Sequence, residues 1–352
     1  MVEEGMTVNR NSSANRAYAT IKLNEDGSCP FLTDQNWCKI QLNLGEEYIS
    51  DVCFFYPRIT NLINGKFEKS ITVSCPEAAR RVLLNAEGIT FNQFEVPFGQ
   101  RTLITANNRT PNLKAEPFLW ELRFFTIQLL QNRDYGIADR LIILGMFCLD
   151  VQECLEKEES GRIPGLINSY VHSLTTEELK VPLAEIPVNF RTQSELLQFL
   201  TETLVPKKKQ RYAGCYNRLR ESLGLENGST EEIAERYRDA YQNYYHPFMK
   251  ENEYLLENYL VNYVFSNVFP CGLLPTVYDE YIALAVYYSL IKYHLIGMAG
   301  FHQGLNYDIV IELVQSFSRS FGHSREALNT LLEFLNRTGF IKMSDMMLLI
   351  KN

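Results

Sequence analysis

The sequence has no excess of positive charge. Its formal net charge is −8 over 352 residues, so it lacks the global basic footprint that accompanies nucleic-acid binding. The one dense basic run, Lys207–Arg211, reads as a solvated loop. The opening residues, MVEEGMTVNRNSSANRAYA, hold no apolar stretch of the signal-peptide kind. The most apolar later stretch, Tyr281–Phe301, is interrupted by Lys292 and His294, and reads as a buried helix rather than a membrane span. A cytoplasmic protein that binds neither nucleic acid nor membrane is expected. There is no internal repeat and no low-complexity tract. In a reducing compartment the eight cysteines argue against a disulfide framework, which leaves metal binding or plain burial.

What is present is a globular composition, 46% hydrophobic and 22% charged, long enough for one large or two modest domains. Two textures divide it. Residues 20–110 are rich in Asn, Gly, Pro, Thr and Cys, with short apolar runs such as VCFFY and SITVSC. They read as loops, short strands and one or two short helices, among them LGEEYIS. The stretch PEAARRVLLNAEG is a helix with Pro76 at its first position and Gly88 at or just past its end. From about Glu116 the apolar residues recur at three- and four-residue intervals, so 111–352 is an all-helical domain. Helices are expected in 116–132 and 134–159 and at about 192–205, 229–267, 275–300, 306–321 and 323–337. The one at 229 opens on a capping-box pattern, Ser229 or Thr230 ahead of Glu232, and kinks at Pro247. The fold class is therefore mainly α, a multi-helix C-terminal domain behind a small irregular cysteine-rich N-terminal one.

Four cysteines, Cys29, Cys38, Cys53 and Cys75, fall in the irregular region. A segment with few long apolar stripes has difficulty offsetting its chain entropy, and metal binding supplies folding energy. Cys29 and Cys75 are each followed by proline, and a sulfur just before a helix lies near the positive end of its dipole. Against this, the gaps of 8, 14 and 21 residues match no standard zinc or ferredoxin spacing. On spacing alone, a metal site and buried thiols both stay open.

The order of short motifs adds to this. GSCPFLTDQNWCKIQLNLGEEYISDVCFFYPR followed by SCPEAARRVL resembles the bacterial flagellin lysine-N-methylase family: Cys-Pro-aromatic-Leu at Cys29–Leu32, Cys-x-hydrophobic at Cys38–Ile40, then Leu44–Arg58 with Ser50 and Cys53, then Ser74–Glu77. The match covers about residues 27–80, with a weaker echo in ENYLVNYVFSNVFP, Glu257–Pro270. The resemblance implies methyl transfer from S-adenosylmethionine to lysines of flagellin, and a [4Fe–4S] cluster on Cys29, Cys38, Cys53 and Cys75. Residues 1–110 are then the iron–sulfur region. Family members carry a further cysteine-rich stretch upstream, which this sequence is expected to lack. The rival reading is a non-catalytic zinc- or iron-binding module with a helical partner-binding domain.

Lysine methylation needs a bound donor and a neutral amine, and free lysine holds its proton to a pKa of about 10.4. No strand–Gly-x-Gly–helix loop is present, nor a Cys-x-x-x-Cys-x-x-Cys triplet, so donor binding would use another kind of pocket. Arg58 is a candidate to fork onto the donor carboxylate, or else a structural salt bridge with Glu46, Glu47 or Glu77. Fourteen of the twenty tyrosines lie between Tyr212 and Tyr293. Tyr237, Tyr241, Tyr244, Tyr245, Tyr259 and Tyr263 line either an aromatic slot for a lysine or a helix–helix packing seam. His246 and His294 read as structural.

Overall fold

Short polar connections between strongly periodic segments lead to antiparallel helical neighbours, and the chain is mainly α-helical. The computed structural model describes residues 5–9, 19–95, 106–107, 114–204, 210–321 and 325–352. Lys207–Lys209 of the basic run lie outside the described residues. Contacts divide the chain into two units, with a boundary between Tyr56 and Pro57.

The first unit begins with an antiparallel pair, β1 (Met6–Val8) and β2 (Ala19–Ile21), with Thr7 opposite Thr20. A loop then folds back so that Leu32 bridges to Cys38. Helices α1 (Lys39–Leu44) and α2 (Asp51–Phe55) follow, separated by a 3₁₀ turn at Glu46–Tyr48. The apolar run VCFFY is thus mostly helical. Among the described residues of this unit, only Phe31 and Ile49 are buried apolar side chains, while Trp37, Leu42, Tyr48 and Val52 are exposed.

The second unit begins with a hairpin, β3 (Arg58–Ile63) and β4 (Lys66–Ile71), turned by Asn64 and Gly65 at φ 48° and 77°. An Asn-Gly pair takes this left-handed geometry readily, and its twist matches that of the strands. The two-residue β5 (Ala106–Asn107) pairs with β3 in parallel. Helix α3 (Pro76–Leu83) does start on Pro76, but it stops before Gly88. The Asn258 amide takes the carbonyls of Leu83 and Asn85, and Gly88 lies in the turn beyond, its N–H donating to Asn85.

The remaining helices are α4 (Leu119–Leu130), α5 (Ile137–Glu156), α6 (Ile163–Thr175), α7 (Lys180–Ala184), α8 (Phe190–Leu204), α9 (Gln210–Leu223), α10 (Thr230–Ala240), α11 (His246–Asn252), α12 (Tyr254–Ser266), α13 (Val277–His302), α14 (Tyr307–Phe321), α15 (Arg325–Thr338) and α16 (Met343–Ile350). Ser229 caps α10 with the full reciprocal box to Glu232. The stretch 229–267 is not one helix with a kink. A π turn at Tyr241–Tyr245 separates α10 from α11, immediately ahead of Pro247. Proline offers no N–H to the carbonyl four residues back and its ring crowds that carbonyl, so the helix widens there.

Helix α13 is the axis of the unit. It is long and apolar enough to cross a membrane, yet from Glu280 to Ala299 every residue is buried within this structure. Helices α5, α8, α9, α10, α14 and α16 pack around it, which is why its apolar residues run all round rather than along one stripe.

The hairpin and α3 belong to this same core. Ile63, Val73, Ala79 and Leu83 pack with the helices, and amide side chains stitch the backbone in place. Asn262 donates to Ile71, Asn258 to Leu83 and Asn85, and Gln315 of α14 to Ser74 at 2.6 Å. In return Asn61 donates to the Ser266 carbonyl. Asn258 and Asn262, four residues apart, let one face of α12 read the neighbouring main chain, and Ser266, a further four along, offers its own carbonyl to Asn61.

Candidate functional site

Cys38 and Cys75 are the residues just ahead of α1 and α3, and Cys53 sits in the first turn of α2, its N–H donating to Ser50 Oγ. Cys29 lies in the loop whose carbonyl accepts from Leu32 N–H. Cys53 is exposed and the other three are half-buried; none is in a disulfide. Cys29, Cys38 and Cys53 belong to the first unit and Cys75 to the second. Among the described residues no three His, Cys, Asp or Glu side chains form a group able to hold a metal ion. Arg58 is exposed at the start of β3. Glu77 pairs with Arg81 one turn along α3 at 2.7 Å. The other four cysteines are buried, and burial alone pushes the Cys148 thiol far up.

Charge is concentrated instead beneath the π turn. Arg140 of α5, with only 2% of its side chain exposed, donates to Glu257 of α12 at 2.8 Å, to Glu253 at 3.3 Å, and to the carbonyls of Leu130 and Tyr135. Arg133 reaches the other oxygen of Glu257 at 2.9 Å. Glu253 also accepts from Ile137 N–H, closing the start of α5. Burial raises the Glu253 carboxyl above its ordinary range, against the pull of Arg140.

Across this cluster lies Lys292 of α13, 4% exposed. Its Nζ stands 5.8 Å from the ring centres of both Tyr241 and Tyr288 and donates to the Ile350 carbonyl at 3.1 Å. Burial pulls its pKa down to about 7, opposed by Glu253 and Asp139 and assisted by Lys351. The surroundings thus release a lysine from its proton near neutrality.

The aromatic seam has a double character. Tyr237, Tyr245 and Tyr259 are buried packing residues, with Tyr241 stacked on Tyr245 at 5.7 Å. The lysine between the rings is the chain's own. His294 is fully buried, its Nδ1 against the Leu290 carbonyl and its Nε2 accepting from Tyr212 Oη, both at 2.7 Å. Both ring nitrogens are engaged and desolvation lowers its pKa to about 4, which fits a neutral structural imidazole. His246 is exposed beside Tyr241.

A pH dependence follows from Lys292. Between about 7 and the ordinary lysine value of 10.5, the unfolded chain holds a proton that the folded chain has lost. The unfolded state binds more protons there, so stability rises with pH across that window. Above about pH 10 the buried tyrosines reverse the trend, because their hydroxyls ionise only on unfolding. Denaturant melts between pH 7 and 9.5 are expected to show the rise in the parent chain and its flattening in Lys292→Met. An unchanged slope in that variant would exclude Lys292 as the source.

Arg140, Glu253, Glu257 and Lys292 were not singled out as site residues by sequence reasoning. The available signal was a charge bordering or interrupting an apolar stretch, as in RLIILG and YSLIKYHLIG, since a charge so placed is buried and must find partners. Elsewhere, an open groove of about 800 Å³ lies at the α9–α10 turn, lined by Arg220, Glu221, Glu226, Glu232 and Arg236 among others. It offers no ring on which an adenine could stack.

A mainly helical unit thus holds a buried arginine–carboxylate network and a lysine set among tyrosines, and comparison with known proteins gives the family. Residues 123–349 match the family model for the FliB lysine N-methylase C-terminal domain, and the chain belongs to that family. It is similar to the lysine-N-methylases of Salmonella choleraesuis (strain SC-B67) and Salmonella typhimurium (strain LT2), each 23% identical over 333 residues, covering 90% of this chain and 79% of the relative. Flagellar biosynthetic protein FliU of Salmonella muenchen is 28% identical over 80 residues, 22% of this chain and 47% of FliU. No solved structure matches the chain.

Proposed function

We propose that this chain is a protein lysine N-methyltransferase that takes S-adenosylmethionine as donor and flagellin, before export from the cytoplasm, as substrate. The family match over 123–349 carries the reading. The names of its relatives, lysine-N-methylase and a flagellar biosynthetic protein, support the reaction and the flagellar setting. In the reaction the neutral lysine Nζ attacks the sulfonium methyl in line, the C–S bond breaks with its electrons staying on sulfur, and the new methylammonium loses a proton. The acceptor must therefore be relieved of its proton, and burial of the kind that pulls Lys292 down to about 7 is one means of doing so.

A [4Fe–4S] cluster on Cys29, Cys38, Cys53 and Cys75 belongs to the reading through the motif order in residues 27–80, with zinc as the alternative ion and Arg58 as a holder of the donor carboxylate. Mass spectrometry of flagellin co-expressed with and without this chain tests the activity. Lysine peptides heavier by whole methyl increments only in its presence are expected, and unmodified flagellin beside abundant folded protein overturns the reading. Iron and sulfide content after anaerobic purification distinguishes the cluster from a zinc site.

A further inference from the structure

The connection between α12 and α13, residues 267–276, is fastened by one buried carboxyl group. Glu280 of α13 is 2% exposed. Its Oε1 accepts from the N–H groups of Leu273 at 2.6 Å and Leu274 at 2.8 Å, and the N–H of Gly272 also bonds to the carboxyl. A Cβ on Gly272 would stand 2.8 Å from that same oxygen, so the close approach needs glycine there. Tyr263 of α12 and Cys271 of the turn face the carboxyl, and Asp279 precedes it on α13. Glu116, just ahead of α4, and Arg123 of α4 act on Cys271, and Arg123 is committed to Glu68 at 2.9 Å. Among the described residues, then, main-chain N–H groups hold the carboxyl and no cation pairs with it.

We infer that Glu280 is a pH-sensitive clasp on the α12–α13 turn, closed while its carboxyl is protonated and loosened when ionisation places an unpaired charge in the core. A buried carboxylate without a cation carries a desolvation cost that N–H groups offset only in part. Burial accordingly raises the Glu280 carboxyl from its ordinary 4.5 to about 7, against the pull of the Leu274, Leu273 and Gly272 N–H groups. Burial also pushes the Cys271 thiol up to about 12 and the Tyr263 hydroxyl well above its ordinary value, so both stay neutral near pH 7. The turn is strained besides, with the β-branched Val268 at φ 59°, a left-handed geometry such residues rarely adopt. Opening lets the carboxyl reach water and lose its proton at its ordinary value. Between 4.5 and about 7 the closed turn holds a proton that the open one has given up, so opening becomes easier as pH rises across that window. Leu273 is already 43% exposed and Leu274 only 1%, so opening uncovers Leu274. The window lies below that of Lys292, and the inference stands independently of the methylase reading.

The test is hydrogen exchange of the full chain, read by mass spectrometry on the fragment covering residues 268–276 and corrected for the intrinsic rate at each pH. Its protection factor is expected to fall about tenfold or more between pH 5 and 7. In Glu280→Gln, which keeps an acceptor for the same N–H groups but cannot ionise, it is expected to stay level. A level profile in the parent, or an equal fall in the folded variant, overturns the inference. Should Glu280→Gln fail to fold by circular dichroism, magnetic resonance of the parent labelled at its glutamate carboxyl carbons supplies the comparison. A carboxyl resonance whose ionisation midpoint coincides with the fall in protection is expected, and the absence of any glutamate ionising in that range overturns the clasp.

Discussion

Glu257→Ala is expected to lower the folding free energy by about 3–5 kcal/mol, the usual effect of removing one partner from a buried ion pair. Glu257 is 1% exposed and accepts from Arg140 at 2.8 Å and Arg133 at 2.9 Å. Arg133 is half-exposed and can turn to water. Arg140 cannot, and a guanidinium does not shed its charge. Truncation leaves that cation in the core with two carbonyls and the longer contact to Glu253. Since small domains are stable by only about 5–15 kcal/mol, the loss should move a urea midpoint far. Glu257→Gln, which keeps an acceptor, is expected to fall between parent and alanine variant. Replacing both partners, Arg140→Met with Glu257→Leu, is expected to cost less than Glu257→Ala alone, because no charge is then stranded. A loss below about 1 kcal/mol in Glu257→Ala would mean that water reaches Arg140.

Gly145→Val is expected to cost about 3 kcal/mol by overpacking the contact of α5 with α13. A Cβ at position 145 would stand 2.3 Å from Tyr281 Cζ and 2.4 Å from its hydroxyl oxygen, well inside van der Waals contact. Tyr281 is fully buried and stacks on Tyr278 at 5.6 Å, so its ring has little room to retreat. Helix propensity works the other way for alanine, which gains about 1 kcal/mol over glycine, so Gly145→Ala is expected to lose less. Tyr281→Leu removes the ring atoms that clash, and its combination with Gly145→Ala is expected to be less damaging than the sum of the two singles. Additive losses in that cycle would show that the clash is relieved elsewhere. Thermal or urea melts of the four proteins read the outcome.

The helices were legible because their burial is one-sided or complete over long stretches: 3.6-residue spacing survives in the letters of α8 and α14, while α13 reads as one long apolar run. Helix α9 was not, since its sequence, QRYAGCYNRLRESL, is polar overall and follows a basic run, and only its packing on α13 makes it a core helix. The π turn went unread because local spacing in YQNYYHP does not distinguish a widened helix from a kink. Family membership was approached through residues 27–80, whereas the family model matches 123–349. Short motif order and long helical pattern are independent signals, and here they agree. The charges of the site were hardest to see. Arg140, Glu257 and Lys292 are single letters whose meaning lies in partners far along the chain, Arg140 and Glu257 being 117 residues apart.

The amide seam on α12 has a consequence for dissecting the protein. A fragment that starts near residue 111 would strip away the hairpin and α3, leaving Asn258, Asn262 and Gln315 facing solvent through a freshly opened wall and the apolar residues around them wetted. One that starts at Pro57 keeps that wall closed and carries Cys75 with it.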